Sequence, residues 1–118
     1  MARTYETSED AIEGFLQTHY YKCLEDKMFN FLPKFLEDKF DIKILSANPD
    51  YNEICGYHKD FDITIKVGMP EINKTSVDIF ISSRYLFEFG KTKKIIDEIF
   101  TSLGLEFEFL GCGLMRDK

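Results

Sequence analysis

His58-x-Asp60-x-Asp62 is the densest grouping of chemically active side chains in the sequence. On an extended backbone, alternate residues share a face, which would line these three up about 7 Å apart. An imidazole beside carboxylates suits a first-row divalent cation. His19 would supply a second nitrogen, giving two histidines and one carboxylate. A metal held there would polarise a phosphoryl or carbonyl oxygen and acidify a bound water, the chemistry of a metal-dependent hydrolase or nuclease. The same residues also read as the polar rim of a hairpin, where Asp is favoured for its turn geometry alone.

A second set is carboxylate throughout. Asp62, Asp78, Glu106 and Glu108 each fall on the polar side of an alternating segment. Carboxylates on neighbouring strands can hold Mg²⁺, or divide into an acid and a base with separated pKa values. The sequence fixes no nucleophile or donor beside them, so no catalytic residue is assigned and no resident cofactor is expected. They also have a use without chemistry. Rows of carboxylates can imitate nucleic-acid phosphates and dock on a basic groove of another protein. Glu9, Asp10 and Glu13 would extend that surface from the N-terminal side. The competing reading is a polar face that simply meets water.

Other motifs are weaker. Gly90-Lys91-Thr92 resembles the end of a phosphate-binding loop, but Tyr85 stands where that loop requires glycine. Arg84, Lys91, Lys93 and Lys94 form a basic patch that can hold an anion at a helix start, or a solvated lysine face. Cys23 and His19 both fall on an apolar stripe and read as core residues. A Cys55–His58 pair has no third residue in view to orient it. The three cysteines form no CxxC pair, so neither a disulfide framework nor a zinc knuckle is expected.

Charge narrows the partners. The formal net charge is −6, and residues 1–62 carry all of it. Direct nucleic-acid binding needs a basic footprint, so it is not expected; a basic protein partner is. The first six residues form no apolar leader, and no run of eighteen apolar residues occurs, so a cytoplasmic protein that does not span a membrane is expected.

These side chains must be carried by elements that the pattern also specifies. Phe61, Ile63, Ile65 and Val67 alternate with polar residues, as do Val77, Ile79 and Ile81. Each run predicts a strand with one buried face. The turn formers of 68–74 between them make a central β-hairpin. Upstream, 42–46 and 51–57 predict two more strands, with short links that imply an antiparallel meander. Leu105, Phe107 and Phe109 predict a last strand. Apolar pairs recur every four residues from Ala11 to Phe40. That repeat drifts on a 3.6-residue helix, so two helices are expected, about 8–30 and about 33–40, broken at Pro33 or near Glu25-Asp26. A third helix spans Ile95–Leu103 and begins near Ser83 or at Gly90; the three lysines that follow Gly90 oppose the dipole and favour the earlier start.

The expected fold is therefore one α+β domain, with a mostly antiparallel sheet of about five strands and the helices largely on one face. Its expected function is that of a small acidic binding protein, not an enzyme, acting on a basic partner through the carboxylates named above. An inhibitor or polyanion mimic of viral or mobile-element origin would suit this size and charge. The alternatives are the metal-dependent hydrolase, and a homo-oligomer joined through Phe80, Leu110 and nearby tyrosines.

Overall fold

A computed structural model of the chain describes residues 4–85 and 90–113. It is α+β, with seven strands in one sheet and two α-helices, among the described residues. The strands are β1 (Thr4–Glu6), β2 (His19–Lys22), β3 (Lys43–Asn48), β4 (Glu53–Tyr57), β5 (Phe61–Glu71), β6 (Lys74–Ser83) and β7 (Glu108–Cys112). The helices are α1 (Glu25–Phe40) and α2 (Lys91–Glu106). The sheet runs β3-β4-β5-β6-β2-β7, and β1 pairs with the far end of β6; every strand pairing is antiparallel.

The meander β3 to β6 stands as the alternation predicts. Ile63 faces Ile81, Ile65 faces Ile79 and Val67 faces Val77, all buried on the helix side. Asp62, Lys66 and Asp78 turn to the other face, which no helix covers among the described residues. The central turn is tighter than 68–74: pairing continues through an irregularity to Glu71 and Lys74, leaving Ile72 and a left-handed Asn73 as the turn. Asn tolerates that conformation better than most residues.

The N-terminal reading requires correction. Of the helix expected over 8–30, residues 8–24 are not α-helical. Residues 14–16 make one 3-10 turn, His19–Lys22 is a strand, and the helix begins only at Glu25. The run Thr18-His19-Tyr20-Tyr21 is β-branched and aromatic, which fits a pleated surface. His19, Tyr20 and Tyr21 are buried on both sides of β2, so their spacing imitates a helical stripe without being one. Helix α1 then passes through Pro33 instead of breaking there. Proline inside a helix costs about 3 kcal/mol. Met28, Leu32, Phe35 and Leu36 are buried on one stripe across it, each worth about 1.5–3 kcal/mol, so packing outweighs the lost hydrogen bond. Asp41, left-handed at φ 54°, ends the helix with its N–H on the Leu36 carbonyl.

Two further boundaries differ. Helix α2 starts at Lys91 with Gly90 left-handed before it, and Ser83 belongs to β6; residues 86–89 lie outside the described part. Its C-terminal end reaches Glu106, so Leu105 and Glu106 are helical and the last strand opens at Glu108. Ile96, Ile99, Phe100 and Leu103 are buried, whereas Ile12 and Phe109, which fall on the apolar pattern of their segments, are exposed.

Candidate binding surface

Strands β1 and β2 lie end to end along one side of β6. Glu6 faces Phe80, and the Thr7 N–H still reaches the Ile79 carbonyl at 2.8 Å. The chain then leaves the sheet and returns with His19 opposite Val77. The residue of β6 facing the gap is Asp78. Its Oδ1 accepts hydrogen bonds from both lips of the break, Thr7 Oγ1 at 2.6 Å and Thr18 Oγ1 at 2.7 Å. Thr7 Oγ1 in turn accepts the Ile79 N–H at 2.9 Å. The neck is closed by Ser8 N–H to Leu16 O at 3.0 Å and Thr18 N–H to Ser8 O at 3.1 Å. Residues 8–18 thus form a compact loop with adjoining ends, a form common at functional surfaces.

The loop is also tied at its sides. Gln17 Nε2 donates to the Ala11 carbonyl at 2.9 Å, and the Tyr20 hydroxyl donates to the Glu9 carboxylate. Burial and that carboxylate both push the Tyr20 phenol above its ordinary pKa. Glu13 meets Lys93 Nζ at 3.4 Å, and the same ammonium lies 5.6 Å from the centre of the Tyr5 ring. Glu13 brings negative charge to the first turn of α2, offsetting the lysines that oppose its dipole.

Within the segment itself the formal charge is of one sign, while Lys93 of α2 pairs with Glu13 from outside it. Residues 4–21 include Glu6, Glu9, Asp10 and Glu13 and no lysine or arginine. Glu6, Asp10 and Glu13 are exposed. Ile12, between Asp10 and Glu13, is 98% exposed. The structure therefore gathers Glu9, Asp10 and Glu13 on one loop, where sequence reasoning placed them on a helix.

The carboxylates assigned to the sheet are distributed differently. Asp62, Asp78 and Glu108 do lie on strands, but each has basic company. Arg84 Nη2 binds Asp62 Oδ1 at 2.8 Å. Lys66 stands opposite Asp78 on one side and Glu53 on the other. Lys22 stands opposite Glu108. Glu106 is on α2, not on the sheet. Signs alternate across this face, so it does not present an unbroken row of negative charge.

His58, Asp60 and Asp62 are not aligned as three ligands. His58 and Asp60 belong to the tight turn joining β4 to β5, where the Asp60 N–H donates to His58 Nδ1 at 3.1 Å. That nitrogen is thus an acceptor already engaged, and the imidazole stacks on Phe61 with centroids 4.8 Å apart. Arg84 ties the turn together, donating from Nη1 to His58 O at 2.8 Å and from its backbone N–H to Asp60 O at 3.0 Å. No three His, Cys, Asp or Glu side chains among the described residues converge as a metal site. His19 is far along the sheet, buried and stacked on Phe100 with centroids 3.6 Å apart. Its Nδ1 lies 2.7 Å from the Gln17 carbonyl. Burial holds its pKa below the ordinary imidazole value, against the raising pull of Gln17 O, Asp97 and Asp78.

A cleft of about 390 Å³ lies between this turn and the start of α2, lined by His58, Ser83, Lys91 and Lys94 among others. The Ser83 hydroxyl is engaged with the Tyr85 backbone, accepting its N–H at 3.1 Å. Among the described residues this hydroxyl hydrogen-bonds only with that backbone, and Asp60 and Glu98 line the cleft together with the two lysines. The three cysteines are unpaired, with Cys23 buried and its thiol pushed up in pKa by that burial. None of the described helices is long and apolar enough to cross a membrane. Comparison with protein-family models, with curated proteins and with solved structures returns no match.

Proposed function

We propose that this chain is a small binding protein that docks on a basic protein partner through its acidic N-terminal surface, covering a positively charged site on that partner. The observation that carries the reading is the latched loop of residues 8–18. With β1 it carries four carboxylates and no lysine or arginine over 4–21, one of the four being paired with Lys93 of α2. A field of one sign attracts a partner of the other and accelerates its encounter. The mixed charges of the open sheet face support a lesser role for Asp62, Asp78 and Glu108, as a rim around the loop and not as a phosphate-like row. Three free thiols suit a reducing, cytoplasmic setting.

The test is salt and charge together. Partners captured from the native cell should dissociate as ionic strength rises from about 50 to about 500 mM. The triple variant Glu6→Gln, Asp10→Asn, Glu13→Gln should weaken the complex at low salt and flatten its salt dependence. A complex indifferent to both would overturn the reading.

A second reading, self-association, is favoured by the apolar edge at β7. Leu105, Phe109 and Leu110 are all exposed there, and β7 ends the sheet with β2 as its one strand neighbour among the described residues. An open edge with apolar side chains is a template for pairing. Sedimentation at two concentrations decides it.

A further inference from the structure

We draw no further inference here: the strongest candidate, the cleft of about 390 Å³ between the β4–β5 turn and the start of α2, is lined by two lysines and two carboxylates together, and nothing in the structure shows what fills it.

Discussion

Replacing Asp78 by alanine should release both ends of the 8–18 loop at once. Its Oδ1 accepts from Thr7 Oγ1 at 2.6 Å and from Thr18 Oγ1 at 2.7 Å, and both hydroxyls belong to buried threonines. A hydrogen bond to a charged group is worth about 1.5–3 kcal/mol net. Asp78 itself is half-buried, so water can replace part of what is lost, and Thr7 keeps the bond its oxygen accepts from the Ile79 N–H. The expected cost of Asp78→Ala is therefore about 2–4 kcal/mol, below the sum of two full bonds. Asp78→Asn keeps one acceptor oxygen without the charge and should cost about half as much. In urea the alanine variant should lose this stability with an unchanged m value, and its midpoint of thermal unfolding should fall by roughly 3–6 °C per kcal/mol. Hydrogen exchange locates the damage: the amides of Thr7, Ser8 and Thr18 should lose protection while those of β5 keep theirs. If Asp78→Ala stays within about 0.5 kcal/mol of wild type and those three amides exchange no faster, the clasp does not hold the loop and the argument for a rigid presenting surface fails.

Gly56 of β4 should not tolerate a methyl group. A Cβ there would lie 2.6 Å from the Lys43 carbonyl oxygen and 2.9 Å from Ile42 Cγ2, so Gly56→Ala must push β3 away from β4. Overpacking of this kind costs about 1–3 kcal/mol, read by urea denaturation; an unchanged midpoint would show that the edge strand moves freely. His19 should give the fold a pH dependence. Its pKa is lowered in the folded state by burial, so below the ordinary value of about 6.5 the unfolded chain takes up a proton that the folded one resists. Its contribution is complete above that value and is lost as pH falls toward the depressed folded value. Unfolding free energies of wild type and His19→Gln, measured from neutral to mildly acidic pH, should converge as pH falls; curves that stay parallel would refute the assignment.

What could be read from the sequence was what one local period dictates. Alternation between Phe61 and Ser83 specifies two strands with a defined inner face, and the structure keeps that face residue by residue. The N-terminal quarter resisted because its periodicity is ambiguous. His19, Tyr20 and Tyr21 are all buried, since β2 is covered on both sides, and a strand without a wet face shows no alternation. Pro33 misled for the opposite reason: the local cost of proline is plain in the sequence, while the burial that outweighs it is tertiary. The carboxylates divided in the same way. Asp62 and Asp78 were placed on the correct face by period alone, but Lys66 and Arg84 neutralise that face through pairings between strands. Glu9, Asp10 and Glu13 came together through a chain excursion that has no period. The available signal was compositional: Glu, Asp, Gly and Gln crowd between two threonines, and that crowding suits a loop better than a helix interior.

The position of that loop bears on how binding and folding are divided in this chain. The core lies between the two helices and the inner face of β2, β4, β5 and β6. The carboxylates of 8–13 take no part in it, although Leu16 of the loop packs against its margin; the loop is held by the Thr7–Asp78–Thr18 clasp, the Tyr20–Glu9 hydrogen bond, the Glu13–Lys93 pair and a few backbone bonds. Like charges set close together repel, and a packed element would carry that cost as lost stability. An excursion from an interrupted strand confines the repulsion to residues whose fold does not depend on one another's burial. The clasp must then be polar, because its two lips meet on the open face of the sheet, where apolar contacts bury little area. A threonine–aspartate–threonine contact supplies direction that such a surface cannot get from packing. On this reasoning the identity of Asp78 matters more to the loop's geometry than to the core, which is why local exchange at Ser8 and Thr18, more than the global melting temperature, should track the loss of partner affinity across Asp78 variants.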